Sequence, residues 1–226
     1  MGEGILRKLM TNILIISVAA VLLAVLLFYE KKGDRKGILP SKAVLSSLFV
    51  IAAMVQPHPI PAYYHFILPG LLLCLCGDIF LALPRDKMFL FGLVAFLTGH
   101  IFYIFGFFSL IKTGQLAWIG FLIIFAISAG VYFRLMPYLG SMKVPVILYI
   151  IIISIMLAAA WSVMGNSGLT RSGRIMIFAG AFSFYFSDMF VARDRFFKKE
   201  FFNRLIGLPL YYTGQFLLAL SVGFLN

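Results

Sequence analysis

Eight nearly unbroken apolar stretches, each bounded by charges, Pro or Gly, constrain this chain more than any other feature. They cover residues 11–29, 41–56, 64–83, 88–110, 116–136, 144–164, 172–193 and 203–225. A helix crosses the hydrocarbon core of a bilayer with about 20 apolar residues, so the pattern predicts an all-α, polytopic membrane bundle of eight transmembrane helices. The composition leaves room for little else. Hydrophobic residues make up 62% and charged residues only 12%, against roughly 45–50% and 25% in soluble domains. A separate aqueous domain is excluded, and residues 1–226 form one transmembrane domain. The first stretch follows Arg7 and Lys8 as in a signal sequence, but its 19 residues exceed the roughly 7–15 of a signal core and no small-x-small cleavage site precedes Tyr29-Glu30-Lys31, so it reads as a retained span.

The net charge of +11 would suggest nucleic acid in a soluble chain. Here it reflects basic loops facing anionic lipid, and no nucleic-acid partner is expected. The loops after spans one, three, five and seven, with their helix ends, hold 14 of the 19 Lys and Arg: Lys31, Lys32, Arg35, Lys36, Lys42, Arg85, Lys87, Arg134, Lys143, Arg193, Arg195, Lys198, Lys199 and Arg204. The other face has Arg7, Lys8, Lys112, Arg171 and Arg174. The positive-inside rule makes those four loops cytoplasmic and both termini external. The membrane is the plasma membrane in a bacterium and the endoplasmic reticulum in a eukaryote. Trp118 and Trp161 then fall at outer helix ends, where an aromatic belt belongs. Cys74 and Cys76, two apart in one apolar run, point to different sides of a helix and form no disulfide framework or zinc site.

The chain also echoes itself. Gly77-Asp78-Ile79-Phe80-Leu81-Ala82 in span three, followed by Thr98-Gly99-His100, returns as Ser187-Asp188-Met189-Phe190-Val191-Ala192 in span seven, followed by Thr213-Gly214-Gln215. Ser41-Lys42-Ala43-Val44 opens span two as Ser141-Met142-Lys143-Val144 opens span six. An offset of four spans is even, so the expected pseudo-repeats, roughly 11–110 and 116–225, are two parallel four-helix units.

Of the eight acidic residues, only Asp78 and Asp188 lie within apolar spans. An ionisable group there costs about 2.5–3.5 kcal/mol on insertion scales and must face the bundle interior or a wet cavity. Each stands five residues from its helix end, Leu83 or Arg193, hence about 7–8 Å deep at 1.5 Å per residue. The bland alternative is that Lys42 and Lys143 neutralise them in bundle-stabilising pairs. Tyr149, Tyr211, Ser46 and Ser47 fall at roughly 7–11 Å by the same count, forming a polar layer with the two Asp. Tyr185 lies on the face of Asp188 one turn deeper, although a buried Tyr is more often a packing residue with one hydrogen bond. His100 is about 18 Å deep, too far to bond Asp78 directly, and an interhelical hydrogen bond is an equally good reading of His100 and of Gln215. No His, Cys or Glu cluster has metal-ligand spacing, and neither a Gly-x-Ser-x-Gly elbow nor a Gly-rich phosphate loop occurs.

Two carboxyl groups sharing a low-dielectric cavity divide the work: one keeps its proton and serves as acid, the other, ionised, as base. That division suits acid-catalysed cleavage of an acetal-like or vinyl-ether bond, where a proton is delivered and water attacks an oxocarbenium-like carbon. It suits proton relay in a carrier equally well.

The runs Gly77-Asp78, Gly92-x-x-x-Phe96-x-x-Gly99-His100-x-x-Tyr103, Val146-x-Leu148-Tyr149, Gly180-Ala181-x-x-Phe184-x-x-Ser187-Asp188 and Tyr211-Tyr212-x-Gly214-Gln215 resemble the YhhN family, the lysoplasmalogenases, over spans two to eight. The resemblance implies an eight-helix membrane hydrolase that splits the vinyl-ether bond of lysoplasmalogens into a fatty aldehyde and glycerophosphoethanolamine or glycerophosphocholine. It implies Asp78 and Asp188 as the catalytic pair. Span two departs from the Lys-Pro associated with the family, since Pro40 precedes Lys42. The expected substrate-binding residues are Lys42, His100, Tyr103, Tyr149, Tyr185, Ser187, Tyr211 and Gln215, with Lys42 and Lys143 on the phosphate. Neither metal nor organic cofactor is required, and the partners are the lysophospholipid and membrane lipid. A proton-coupled carrier or a non-catalytic lipid-binding protein are the alternatives. No feature of the sequence sets an oligomeric state.

Overall fold

The computed structural model describes residues 2–111 and 118–225, without the side chains of residues 2–5, 7 and 86. Lys112 from the charge count and the first two residues of the expected fifth span lie outside the described residues. Those described form helices and no strands: α1 (Gly2–Lys32), α2 (Arg35–Met54), α3 (Pro61–Ala82), α4 (Asp86–Phe108), α5 (Trp118–Leu135), α6 (Lys143–Met164), α7 (Arg171–Ala192) and α8 (Phe201–Ser221). All eight are long and apolar enough to cross a bilayer, and the chain is a multi-pass membrane protein. In lipid a helix satisfies its own backbone N–H and C=O groups, which open segments cannot do.

Two helices start six or more residues before their apolar runs. α1 begins at Gly2 and α2 at Arg35, so Pro40 falls inside α2. A helix does not stop where its apolar run stops, because backbone bonding continues into the interface where charges are solvated. What ends α1 is Gly33, whose φ of +66° suits glycine. Its N–H reaches Glu30 O at 3.2 Å and the Asp34 N–H reaches Tyr29 O at 3.1 Å, the paired bonds of a Schellman stop. Asp34 then caps α2, its carboxylate accepting the Lys36 N–H at 3.0 Å.

α6 and α8 are the most enclosed helices; α1 and α5 lie at the periphery. α3 packs on α4 as α7 packs on α8, α2 on α3 as α6 on α7, and α1 on α2 as α5 on α6. Between halves, α4 meets α6 and α8 meets α2, but α8 also packs on α1 and α3 more closely than α4 packs on α5 or α7. Exchanging the first four helices for the last four preserves the other pairings and not these two. Matching glycines hold the tightest pairs. A Cβ on Gly99 would stand 3.0 Å from Gly70 O across α3 and α4, and one on Gly214 would stand 2.8 Å from Gly180 O across α7 and α8. Gly70 and Gly180 each precede their Asp by eight residues.

After Ala192 the chain widens into one π-helical turn, Arg193–Phe197, before α8. Two 3₁₀ turns join α5 to α6.

Candidate active site

A cavity of about 110 Å³ lies among α2 to α8 and is lined by both Asp78 and Asp188. It exceeds several times the roughly 10–15 Å³ that holds one water. Lys42, Phe89, Leu135, Val146, Ala192 and Arg204 on its wall sit within two turns of helix ends joined by the loops after α1, α3, α5 and α7. The cavity therefore occupies the basic end of the bundle. Most of its wall is apolar, from Leu81, Leu93, Val131, Ile150 and Ile153 among others. The polar groups gather at a few points.

Asp78 is buried, 2% exposed, and three donors meet its carboxylate. Ser46 Oγ and Tyr211 OH each donate to Oδ2 at 2.6 Å, and Lys42 Nζ lies 3.5 Å from Oδ1. Lys42 is itself buried, being the eighth residue of a helix that starts at Arg35, so its ammonium can project inward. A buried ion pair persists only where further hydrogen bonds fill the remaining lone pairs, and Ser46 and Tyr211 fill them. Behind them the chain of bonds continues: Gln215 Nε2 donates to Tyr211 OH at 3.3 Å, and Tyr103 OH donates to Gln215 Oε1 at 2.8 Å. Tyr212 OH lies 3.2 Å from Ser46 Oγ.

Asp188 is half-buried and open to the cavity. Tyr149 OH donates to its Oδ2 at 2.5 Å, and among the described residues no other donor reaches it. Lys143, its expected cation, is exposed and absent from the cavity wall. As the first residue of α6 it stands at the membrane surface rather than a turn and a half within.

Of the residues expected to bind substrate, Lys42, Tyr149, Tyr185 and Tyr211 line the cavity. Tyr103 and Gln215 stand behind Tyr211, and Ser187 Oγ turns back to Phe184 O at 2.8 Å. His100 is fully buried with neither ring nitrogen bonded; its ring lies edge-on to Phe184 and Tyr149, centroids 4.6 and 5.3 Å away. It is hydrogen-bonded to neither Asp. Ser47 Oγ is spent on Ala43 O.

Two polar groups escape the sequence reading. Ser128 Oγ lies 2.7 Å from Tyr185 OH and 2.6 Å from Ser154 Oγ, tying α5, α6 and α7 together at the cavity's inner end. Their signal was Ser128, alone in span five, and Ser154, one of two serines in span six. At the outer end the π-turn carries Asp194 inward, 9% exposed. Its carboxylate accepts from Arg204 Nη2 at 2.9 Å, Asn203 Nδ2 at 3.3 Å and the Glu200 N–H at 3.3 Å. Asp194, Asn203 and Arg204 all line the cavity. Among the described residues no three His, Cys, Asp or Glu converge as a metal-ligand set.

The arrangement presents two carboxyl groups of unlike surroundings to one small, mostly apolar space that can admit water. Comparison with known proteins adds a family. The YhhN family matches residues 38–222. Two curated relatives, each named lysoplasmalogenase, come from Mycobacterium bovis and Mycobacterium tuberculosis. Each is 30% identical over 176 residues, which is 74% of this chain and 63% of the relative; the match thus spans under two thirds of these relatives' length. No solved structure matches the chain.

Proposed function

The chain belongs to the YhhN family, and on that premise we propose that it is a membrane hydrolase cleaving the vinyl-ether bond of lysoplasmalogens, with Asp188 as acid and Asp78 as base. The products are a fatty aldehyde and glycerophosphoethanolamine or glycerophosphocholine. The observation that carries the reading is the pair of unlike carboxyl groups on one cavity wall. Asp78, beside the Lys42 ammonium and holding two hydroxyl donors, is the carboxylate. Among the described residues no cation pairs with Asp188, which uses one oxygen on Tyr149, leaving Oδ1 to carry a proton.

In this mechanism Asp188 protonates the β-carbon of the vinyl ether, and positive charge develops on the α-carbon and ether oxygen. Asp78 takes a proton from the water that attacks the α-carbon, giving a hemiacetal. Asp78 then protonates the departing glycerol oxygen while the hemiacetal hydroxyl returns its proton to Asp188. Aldehyde leaves, and both groups regain their starting states. Preorganised charge in a water-poor site is worth far more than in solution, which is the service of Lys42 and the tyrosines here. On the positive-inside rule we take the basic end of the bundle, and the cavity with it, to be cytoplasmic and both termini to be outside, so a C-terminal tag should be labelled only from outside the cytoplasm.

The decisive experiment is aldehyde release from a 1-alkenyl lysophospholipid by purified protein in detergent. A carrier or a lipid-binding protein releases none.

A further inference from the structure

We propose that Arg204 is the phosphate-binding residue of this cavity and that Asp194 positions it. The inference rests on the vinyl-ether reading and adds to it which group holds the lipid head.

Among the described residues, only two basic side chains line the cavity, Lys42 and Arg204. Lys42 is 3% exposed and set against Asp78, so a phosphate drawn to it would strip the carboxylate of its counter-ion. Arg204, the fourth residue of α8 where Lys42 is the eighth of α2, stands nearer its helix end, its side chain 32% exposed. Its Nη2 is fixed by Asp194, and its Nε lies 4.0 Å from Glu30. A guanidinium has five N–H donors in a planar fork, so an edge remains for two phosphate oxygens, the bidentate geometry that favours Arg over Lys. Asp194 is in turn held by Asn203 and by the Glu200 N–H. The guanidinium is thus oriented before substrate arrives.

Spacing supports the assignment. Asp194 follows Asp188 by six residues, about 9 Å along a helix. Seven covalent bonds separate the β-carbon of the vinyl ether from phosphorus in a lysoplasmalogen, about 8 Å for an extended chain of such bonds. A lipid whose vinyl ether rests at Asp188 therefore brings its phosphate to Arg204. Its hydrocarbon tail then points toward Ile153 and Phe96, the deeper apolar wall. Head group outward and tail inward is also the order of the surrounding leaflet.

The test compares two vinyl-ether substrates with the same chain, 1-alkenyl-glycerophosphoethanolamine and the uncharged 1-alkenylglycerol, on wild type, Arg204→Gln, Arg204→Lys and Asp194→Asn. Arg204→Gln should raise KM for the phospholipid roughly tenfold to a hundredfold, the loss of charged hydrogen bonds, with kcat and the KM for 1-alkenylglycerol nearly unchanged. Arg204→Lys should restore part of the loss, and Asp194→Asn should shift the same KM by less. If Arg204→Gln fails to fold, Arg204→Lys decides, since it keeps the charge but not the fork. An unchanged phospholipid KM in the folded variant, or equal losses on both substrates, overturns the proposal. A second arm separates it from the parent reading: the saturated 1-alkyl analogue, which has no vinyl ether, should protect wild type against thermal unfolding and protect Arg204→Gln much less. Absence of aldehyde from either lipid would sink the hydrolase while this arm still judged the head-group site, equal protection of both proteins counting against it. Inorganic phosphate protecting as well as the lipid would likewise overturn the head-group assignment.

Discussion

Asp78 and Asp188 occupy matching places in α3 and α7, eight residues after a close-approach glycine and four before the helix end, yet their neighbours differ. Asp78 meets an ammonium and two hydroxyls; Asp188 meets one hydroxyl and open space. The difference comes from the partner helices. Counting from the Gly99 and Gly214 contacts, Tyr211 of α8 stands where Phe96 stands in α4, and Phe96 has no hydroxyl to give. Lys42 lies within α2 because α2 starts seven residues before it, whereas Lys143 opens α6. A repeated scaffold can put two carboxyl groups at one depth, and it takes unequal neighbours to make one a carboxylate and the other an acid.

Replacing either Asp tests that division most severely. Asp78→Asn and Asp188→Asn should each cut aldehyde release by about 10²–10⁴, the usual worth of a positioned proton-transfer group, and the double variant should be hardly worse, since groups acting as a unit are not additive. The pH profiles carry the sign. An acid must hold its proton, so turnover is lost as pH rises through the apparent pKa of that step; a base must be ionised, so turnover is lost as pH falls through the other. Wild type should give a bell whose two limbs belong to the pair. The residual activity of Asp188→Asn should lack the high-pH limb, and that of Asp78→Asn the low-pH limb. A folded single variant with near wild-type turnover would remove the two-carboxylate mechanism altogether.

The two lysines come next. Lys42→Met strips a buried carboxylate of its cation, a loss of about 3–5 kcal/mol when one partner of a buried pair is removed. Thermal unfolding in detergent should show a large drop, recovered in part when Asp78→Asn is added. Lys143→Met, at an exposed helix start, should stay within about 0.5 kcal/mol of wild type. Equal effects at both positions would mean that the two halves are electrically alike.

A smaller contrast separates the tyrosines. Tyr149→Phe removes the single donor to Asp188, whereas Tyr211→Phe leaves Ser46 and Lys42 on Asp78. A hydrogen bond to a charged or charge-developing group is worth about 1.5–3 kcal/mol, so Tyr149→Phe should lower kcat about tenfold or more and Tyr211→Phe only a few-fold. The opposite ranking would reverse the assignment of acid and base.

How much of this is legible in the sequence follows from what each feature looks like against lipid. Eight apolar runs announce eight spans, and an Asp inside such a run stands out because water is absent there. Depth counting also puts Tyr149 and Tyr211 level with the two Asp, and both do bond them. Asp194, Asn203 and Arg204 carry no such contrast. They sit among the charges after span seven, and only the π-turn, which spacing does not reveal, swings Asp194 back over the cavity. Lys42 and Lys143 look alike as letters at the edge of a run. Their fates diverge through the start of α2 at Asp34 and Arg35, set by a glycine stop and a cap rather than by hydropathy.

A last contrast concerns the scaffold that makes the halves comparable. Gly99→Ala and Gly214→Ala would each drive a Cβ against a backbone carbonyl, at 3.0 Å from Gly70 O and 2.8 Å from Gly180 O. Backbone atoms cannot swing aside as a side-chain end can, so the helices must separate, and overpacking of this kind costs about 1–3 kcal/mol. Gly130 provides the control. It lies within α5, exposed, with nothing within 4 Å of an added Cβ, and Ala is the better helix former by up to about 1 kcal/mol, so Gly130→Ala should leave the unfolding midpoint unchanged or raise it. If α3 against α4 and α7 against α8 are the same joint used twice, Gly99→Ala and Gly214→Ala should lower the midpoint by similar amounts, with Gly214→Ala slightly the worse for its shorter contact. A loss at one joint alone would show that the matching glycines do unequal structural work, and the likeness of the two halves would then reach no further than their helix pairing.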